Sequence, residues 1–288
     1  MKKIAILNDL SGLGKCSLTA AIPVISVMGI QACPLPTAIL SAQTGFPSYY
    51  CDDYTDRMDN IMKEWKKMDF YPDGIYTGFL ADAHQADKAV EFIEMFGCEN
   101  TRILVDPVMG DNGKEYPIYT EELCKKMRVL VKKATVITPN LTEALLLLYG
   151  TKQAHILWKG IADFQERELI AFVETTGEKL AKDFETEVVI TGIDLPVKEK
   201  CQEMGNLICR DDESIWVTAV KEGGSYSGTG DLFASVLSAG MVNGMDTVDS
   251  VRKAVRFLSK GIHDAVLEGT DRNEGICFER YLSELAIE

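Results

Sequence analysis

The sequence predicts an α/β fold built around a mainly parallel β-sheet. Short, almost wholly apolar runs alternate with longer segments in which apolar residues recur at helical spacing, the pattern of repeated βαβ units. The runs lack polar alternation, which is typical of strands that helices cover on both faces. With 288 residues, 46% of them hydrophobic and 26% charged, the chain is able to bury a sizeable core. Neither a linker nor a repeat interrupts the pattern, so we predict one domain over residues 1–288.

The predicted elements follow in order along the chain. The first strand covers residues 4–7, and a Gly-rich turn then leads into a helix that ends near Met28. Further apolar runs predict strands at residues 74–79, 103–106, 136–138 and 188–191. Helical spacing predicts helices at residues 53–67, 83–96, 121–132, 141–148 and 166–184.

The last third of the chain has a different pattern. Two apolar runs, residues 207–210 and 214–220, flank the acidic turn Asp211-Asp212-Glu213, which predicts an antiparallel hairpin with a solvated tip. A Gly-rich turn then precedes a helix that begins near Thr229. Two closing helices are predicted at residues 247–266 and 274–286.

The composition excludes several classes of function. With 30 Lys and Arg against 44 Asp and Glu, the formal net charge is −14, and no basic stripe is available to bind nucleic acid. No run approaches the length of about 20 apolar residues that a membrane-spanning helix needs, and the run after Lys3 stops at Asn8, too short for a secretion signal. Eight scattered cysteines and only three histidines argue against a zinc site and indicate reduced thiols. We therefore expect a cytoplasmic protein that binds neither nucleic acid nor membranes.

Polar residues stand where the predicted strands end. They are Asp9, Thr77, Asp106, Thr138-Pro139-Asn140 and Thr191-Gly192. In open α/β sheets, ligands bind at the carboxyl ends of the strands. Ordinary turn chemistry explains Pro139 and Gly192, but it does not explain why Asp106 and Asp111 bracket Pro-Val-Met-Gly.

The turn after the first strand, Ser11-Gly-Leu-Gly-Lys15, has a partial likeness to a phosphate-binding P-loop. The pattern G-x-x-x-x-G-K-[ST] would need a glycine at Asp9 and a hydroxyl at Cys16, and both are absent. We therefore favour a turn that opens a helix and lines a substrate pocket.

A second glycine turn, Gly228-Thr229-Gly230-Asp231, opens an apolar helix. Its backbone N–H groups and the helix dipole form a potential anion site. A carboxylate in the first turn stabilises a helix, and from spacing alone that role is favoured for Asp231. Beside a bound phosphoryl group, the same carboxylate is able to accept a proton from an attacking hydroxyl.

Three acidic residues form a further candidate site. Asp106, Asp111 and Glu143 are able to hold Mg²⁺ through its water ligands. The local alternatives are a turn at Asp111-Asn-Gly113 and helix stabilisation by Glu143. Together with the anion site at strand ends of one sheet, the acids favour nucleotide chemistry.

These motifs together resemble the ribokinase-like superfamily, and within it the pyridoxal/pyridoxamine (vitamin B6) kinases. The elements that carry the resemblance are Gly228-Thr-Gly-Asp231, Asp106-Pro-Val-Met-Gly-Asp111 and Thr138-Pro-Asn-Leu-Thr-Glu143. The stretch Leu40–Gly45, Thr77-Gly78 and Val189-Ile-Thr191 occur in the same order, so the resemblance spans most of the chain.

The resemblance implies a ribokinase-like three-layer α/β/α sandwich, a homodimer, and transfer of the ATP γ-phosphoryl group to a hydroxymethyl group on a pyridine ring. It assigns Asp231 as the base, with Gly228, Thr229 and Gly230 as the anion hole. It assigns Asp106, Asp111 and Glu143 to Mg²⁺. It places Thr138, Asn140, Thr191, Gly228 and Gly230 at the nucleotide, and Ser11, Thr44 and Asp231 at the substrate.

Three departures from the family pattern concern substrate and adenine contacts. The loop Ser11–Lys15 is short, Phe79 stands where a tyrosine is expected, and residues 223–226 are rich in glycine. The reaction type is therefore better indicated than the preferred vitamer, and a monovalent-cation requirement stays open.

The function expected is ATP- and Mg²⁺-dependent phosphorylation of the 5′-hydroxymethyl group of pyridoxal, pyridoxine or pyridoxamine. The alternative with the same chemistry is a hydroxymethylpyrimidine kinase of thiamine synthesis. A sugar kinase is disfavoured because the Leu40–Thr44 region is mostly apolar. The alternative of another class is a non-catalytic regulator that binds a nucleotide or a B6 vitamer.

Overall fold

The computed structural model describes residues 1–198, 201–210 and 213–286 of the chain. Its contacts group the chain into two compact units. The first unit comprises Met1–Ala81, Lys88–Leu104 and the chain from Glu222 onward, and the second comprises Asp82–Asp87 and Val105–Lys221. The single domain over residues 1–288 stays a prediction.

The elements are numbered here in chain order. The strands are β1 (Lys3–Ser11), β2 (Gln31–Leu40), β3 (Cys51–Asp53), β4 (Gly74–Thr77), β5 (Arg102–Val105), β6 (Gly110–Asp111), β7 (Lys114–Glu115), β8 (Val136–Ile137), β9 (Glu187–Lys198), β10 (Cys201–Arg210) and β11 (Glu213–Val220). The helices are α1 (Ser17–Val27), α2 (Thr55–Lys67), α3 (Ala83–Phe96), α4 (Glu121–Val131), α5 (Leu141–Ile161), α6 (Glu166–Phe184), α7 (Thr229–Val242) and α8 (Thr247–Glu268). A 3-10 helix, Phe278–Leu285, follows α8.

In the first unit, β1 is the central strand. It pairs in parallel with β2 on one side and with β4 on the other, and β3 pairs antiparallel with β2. The β1 residues from Ile4 to Asn8 are all 0% exposed, because strands and helices cover them on every side. Helix α7 is buried from Leu232 to Val242, and its apolar residues face all directions, as expected of a helix inside a core.

In the second unit, the strand order is β11-β10-β9-β8. Strand β8 pairs in parallel with β9, whereas β9, β10 and β11 are antiparallel to one another. The short strands β6 and β7 form a separate hairpin. The predicted fold class is confirmed: mainly parallel strands with flanking helices precede a late antiparallel hairpin. Residues Asp211 and Asp212 of the predicted acidic turn lie outside the described residues, and Glu213 is exposed.

Strand β2 is absent from the sequence prediction, and it contains two prolines, which lack the N–H donor that a strand interior needs. Pro34 and Pro36 pair with Ile6 and Asn8 of β1. On the other side of β2, β3 pairs only with Ala38–Leu40, so the outer edge at the prolines needs no N–H donor. Proline is therefore tolerated there.

Two helix predictions are corrected. Helix α5 was expected to end at residue 148 but extends to Ile161, with a break at Gly150, where φ is 72° and ψ is 172°. The α-helix expected at residues 274–286 is instead the 3-10 helix, because Gly275 adopts a left-handed φ of 80° that interrupts regular helix. Strand β9 continues beyond residue 191 because β10 pairs with its extension.

Among the described helices, none has the length and apolar composition needed to cross a lipid bilayer.

We expect Gly177→Ala to destabilise the second unit by about 1–3 kcal/mol, although alanine favours helix by up to about 1 kcal/mol. A Cβ at Gly177 of α6 would lie 2.5 Å from Sγ of Cys209 on β10. Urea denaturation measures the effect, and the added Cys209→Ala substitution should recover part of the loss. The control is Gly160→Ala, since an added Cβ there has no neighbour within 4 Å. If Gly177→Ala were as stable as the wild type, the close packing of Gly177 against Cys209 would be contradicted.

Candidate active site

The turn before α7 is shaped by the absence of a side chain at Gly228. This residue caps α7 with a left-handed φ of 80°, and an added Cβ would overlap the carbonyl oxygen of Lys15. Thr229 Oγ1 donates to the Tyr226 carbonyl at 3.0 Å, which closes the turn. Since glycine has no side chain with which to cap a helix, the first N–H groups of α7 are left for an anion.

Asp231, in the first turn of α7, is bound by groups from three other elements. Asn8 Nδ2, on β1, donates to Asp231 Oδ1 at 3.0 Å. The Tyr76 hydroxyl, on β4, donates to the same oxygen at 3.5 Å. The backbone N–H of Ser17 at the start of α1 also donates to this carboxylate, and Ser17 adopts a φ of 52° that is uncommon for a residue with a Cβ. The contacts described for the Asp231 carboxylate are therefore not those of a cap on its own helix.

The electrostatic setting of Asp231 suits a base. Burial raises the pKa of its carboxyl to about 6, and the charge of Asp9 acts in the same direction. The hydrogen bonds from Ser17, Asn8 and Tyr76 oppose that increase in pKa. The carboxylate is ionised at neutral pH, yet its proton affinity is far above that of an ordinary aspartate.

Asp9 and Ser11 form a buried pair beside this carboxylate. Ser11 is 1% exposed, and its hydroxyl donates to Asp9 Oδ2 at 2.7 Å. Burial raises the pKa of Asp9, and hydrogen bonds from the Ser17 and Ser11 side chains oppose that increase. The predicted role of Ser11 in substrate binding stays a prediction.

Cys16 is buried, and other groups of the protein bind the Lys15 side chain. Burial, with the charges of Asp231 and Asp9, raises the pKa of Cys16 to about 12, so its thiol stays protonated. Lys15 Nζ lies 2.9 Å from Glu279 Oε2 and 3.2 Å from the Ile276 carbonyl oxygen. The ammonium is thus bound to the C-terminal segment.

Thr44 is exposed, on the loop that follows β2. Its neighbour Gln43 is buried and donates to the carbonyl and side-chain oxygens of Asn273, each at 3.2 Å. Gln43 Oε1 accepts the Gly45 N–H at 2.7 Å. These contacts fix the loop that carries Thr44, whose role at the substrate stays a prediction.

In the second unit, Glu143 is held at the start of α5. Its Oε1 accepts the Met109 N–H at 3.1 Å and its Oε2 accepts the Asn140 N–H at 2.9 Å, while Asn140 caps the helix in return. Burial raises the pKa of Glu143, and the charge of Asp106 adds to that increase. Asp106 Oδ1 accepts a hydrogen bond from the Thr138 hydroxyl at 3.1 Å.

Asp106 and Glu143 fit a hydrated Mg²⁺ ion better than a bare one. Two carboxylates whose charges repel each other are stabilised by a nearby cation. Over the described part of the chain, no three His, Cys, Asp or Glu residues are grouped to ligate a metal directly. Asp111, the third predicted acid, is the last residue of β6, and its Oδ1 accepts the Asn112 N–H and its Oδ2 accepts from Asn112 Nδ2, both at 2.8 Å. The assignment of Asp106, Asp111 and Glu143 to Mg²⁺ stays a prediction.

Three of the residues predicted at the nucleotide, Thr138, Asn140 and Thr191, lie at adjoining strand ends of the second unit. Asn140 follows β8 and forms a parallel bridge with Thr191 of β9, whose N–H donates to the Pro139 carbonyl at 2.9 Å. Asn140 Nδ2 donates to the Gly110 carbonyl at 2.8 Å. Thr138, Asn140 and Thr191 are therefore brought together, and their contact with a nucleotide stays a prediction.

Sequence reasoning missed Asn8, Tyr76 and the Ser17 N–H. Asn8 had a usable signal, because it directly precedes the strand-end residue Asp9. Tyr76 stands in an apolar run and had none.

Gly228→Ala should unfold or strongly destabilise the turn, by about 3 kcal/mol or more, because the Cβ would overlap Lys15 and the left-handed φ disfavours alanine. Thermal unfolding of the purified protein measures the loss. Gly230→Ala is the matched control for stability, since a Cβ there has no neighbour within 4 Å. A Gly228→Ala protein as stable as the control would refute this packing.

Asp231→Asn should stabilise the protein by about 1–3 kcal/mol at pH 8, a range reduced for solvent screening. Because the pKa is raised to about 6 in the folded state, ionisation above that pH costs folding free energy that asparagine does not incur. The gain should shrink as pH falls through about 6 toward 4, where the folded wild-type carboxyl is neutral. Denaturant unfolding at pH 5 and pH 8 measures this difference in stability. The control is Asp249→Asn, since Asp249 is an exposed residue in the first turn of α8. A destabilised Asp231→Asn protein at pH 8 would contradict the assigned pKa.

Comparisons with known proteins place the chain in a family. The family model described as Phosphomethylpyrimidine kinase matches residues 16–275. A Schizosaccharomyces pombe protein provisionally named a pyridoxal kinase is 24% identical, over 89% of this chain and 82% of that protein. The hydroxymethylpyrimidine/phosphomethylpyrimidine kinase of Bacillus subtilis is 26% identical, over 69% of this chain and 65% of that enzyme.

A solved structure extends the likeness over nearly the whole chain. It is of a Bacteroides thetaiotaomicron protein, provisionally named a phosphomethylpyrimidine kinase, in a crystal form with pyridoxal. That protein is 36% identical, with a TM-score of 0.86 over 99% of this chain and 95% of its own. The resemblance that the motifs indicated is confirmed, and the chain belongs to the phosphomethylpyrimidine kinase family.

Proposed function

We propose that this chain is an ATP-dependent kinase that phosphorylates the 5′-hydroxymethyl group of pyridoxal, pyridoxine or pyridoxamine. The observation that carries the proposal is Asp231, a carboxylate with a pKa of about 6, in the first turn of a helix behind the Gly228-Thr-Gly230 turn. A base and an anion-binding turn on consecutive residues suit phosphoryl transfer to an alcohol. The B6 substrate is supported by the Schizosaccharomyces pombe relative and by the pyridoxal-containing Bacteroides structure.

In the proposed reaction, Asp231 accepts the hydroxyl proton while the alcohol oxygen bonds to the γ-phosphorus of ATP. The bond from that phosphorus to the bridging oxygen breaks, and ADP leaves with its electron pair. The N–H groups at Gly228, Thr229 and Gly230 stabilise the charge of the transferring group. The reaction therefore needs no basic side chain at the anion turn.

Mg²⁺ is part of the proposal as the partner of ATP. Asp106 and Glu143, with Asp111, would hold the ion through its waters, and the bound ion neutralises phosphate charge. Thr138, Asn140 and Thr191 are proposed to contact the nucleotide, and Ser11 and Thr44 the pyridine ring. We further propose a cytoplasmic homodimer, supported by the resemblance that the motifs carry.

A second candidate is phosphorylation of hydroxymethylpyrimidine. The family description and the Bacillus subtilis relative favour it. The base and the anion turn would serve both alcohols, because both substrates present a hydroxymethyl group on a nitrogen heterocycle. The ring contacts decide between them.

The test measures ADP formation with pyridoxal, pyridoxine, pyridoxamine and hydroxymethylpyrimidine in turn. We expect the highest kcat/KM with a B6 vitamer. Asp231→Asn should lower kcat by about 10²–10⁴-fold and leave the KM for ATP within about threefold, because the base acts only in the transition state. Asp249→Asn, in the exposed first turn of α8, should retain wild-type turnover.

Three other results would each change a different part of the proposal. A higher kcat/KM with hydroxymethylpyrimidine would replace the B6 assignment with the second candidate. ATP binding without turnover of any of the four alcohols would indicate the non-catalytic regulator. Full turnover by Asp231→Asn would remove the proposed base.

A further inference from the structure

The side-chain amide of Asn8 is fixed in direction by the backbone around it. Asn8 is 0% exposed, and its Oδ1 accepts two backbone N–H groups, from Asp9 at 3.0 Å and from Phe79 at 2.8 Å. A carbonyl oxygen has two lone pairs, so these donors occupy its acceptor capacity. The amide nitrogen must therefore be the atom on the opposite side, and the orientation of the amide follows from its partners.

Gly78 restricts the same amide sterically. A Cβ at Gly78 would lie 2.6 Å from Cγ of Asn8, so the backbone of residue 78 packs directly on the amide plane. Strands β1 and β4 are paired in register there, with Leu7 opposite Thr77. The Asn8 side chain is thus held whether or not Asp231 is beside it.

In this orientation the amide nitrogen of Asn8 faces Asp231. Asn8 Nδ2 donates to Oδ1 at 3.0 Å, and the buried Tyr76 hydroxyl, also 0% exposed, donates to the same oxygen at 3.5 Å. Two donors from neighbouring strands converge on one carboxylate oxygen. A carboxylate fixed through one oxygen has a defined rotation about its Cβ–Cγ bond.

We propose that Asn8 is the positioning residue of Asp231: its backbone-locked amide sets the rotation of the carboxylate and stabilises the ionised form against burial and the charge of Asp9. The inference rests on the proposed function in that Asp231 is taken as the base. The structural part, that Asn8 controls the proton affinity of Asp231, is measurable without any substrate.

Other groups around Asp231 also act on its proton affinity, and the Ser17 N–H opposes the effect of burial more strongly than the Asn8 side chain does. From β1, Asp9 disfavours the ionised form of Asp231. From the turn before α1, the Cys16 thiol stays neutral, and from β4 the Tyr76 hydroxyl donates. The Ser17 N–H donates from α1. Among these groups, Asn8 is the side-chain donor at the shorter distance.

The direct test is a ¹³C NMR titration of protein labelled at aspartate Cγ, in which Asp231→Asn assigns the Asp231 signal. Asn8→Ala should raise the pKa of Asp231 by about one unit, since a hydrogen bond to a charged group is worth about 1.5–3 kcal/mol, part of which water replaces. Asn8→Asp should raise it further, because a second carboxyl then faces Oδ1. Tyr76→Phe should give a smaller rise, in keeping with the longer bond.

The matched control is Asn243→Ala. Asn243 lies at the other end of α7, and its Nδ2 donates to the Met28 carbonyl at 3.0 Å, so the variant also removes one asparagine hydrogen bond. It should leave the pKa of Asp231 unchanged. If the loss of one asparagine hydrogen bond merely loosened the fold, Asn8→Ala and Asn243→Ala would change the pKa of Asp231 alike.

The kinetic arm is the pH dependence of kcat/KM between pH 5 and 9 with the best B6 vitamer. In Asn8→Ala the acidic limb should move upward with the NMR pKa, and kcat on the plateau should fall about 10–100-fold while the KM for ATP changes little. If Asn8→Ala does not fold, Asn8→Asp and Tyr76→Phe carry the same comparison.

The two arms distinguish the failure of this inference from the failure of the proposed function. An Asp231 pKa that is the same in folded Asn8→Ala, Asn8→Asp and wild-type protein would overturn the inference, whatever the activity. A shifted pKa in a protein that phosphorylates none of the alcohols would support the control of Asp231 by Asn8 and overturn the proposed function.

Discussion

The first unit is organised around the carboxylate of Asp231, a half-buried residue whose carboxyl group is largely shielded from water. Burying an ionised carboxylate is costly unless donors surround it, because the surrounding protein is less polarisable than water. Asn8, Tyr76 and the Ser17 N–H supply those donors from two strands and a helix start. These donors offset only part of the cost of burying the carboxylate, and the pKa of about 6 reflects the part that remains. The remaining cost raises the proton affinity of the carboxylate, as the proposed role of base requires.

Glycines allow the backbone to come close enough for this arrangement. At Gly228 the turn packs against the Lys15 carbonyl, and at Gly78 the backbone packs on the Asn8 amide. A Cβ at either position would push apart the elements that carry the donors and the carboxylate. The turn before α7 and the position of Asp231 therefore depend on steric contacts that involve no charge.

A net charge of −14 is compatible with phosphate chemistry, because the charge around a bound phosphate depends on the local structure. Backbone N–H groups at a helix start carry partial positive charge without a basic residue. Burial, and then the charge of Asp106, raises the pKa of Glu143, and a hydrated divalent cation would stabilise both acids in their ionised form. Most of the remaining acidic residues lie on solvated surfaces and take no part in either site.

The sequence by itself determined the α/β class, the late antiparallel hairpin, the helix at Thr229 and the motif residues, because periodicity, glycine turns and helix starts are local properties. It did not reveal β2, whose prolines are tolerated only because β3 leaves that edge unpaired. Nor did it distinguish Asp231 as a cap from Asp231 as a base. Only the tertiary structure decided which groups the Asp231 carboxylate contacts and how its pKa is raised, because both depend on burial and on donors, Asn8 and Tyr76, that are 223 and 155 residues away in the chain.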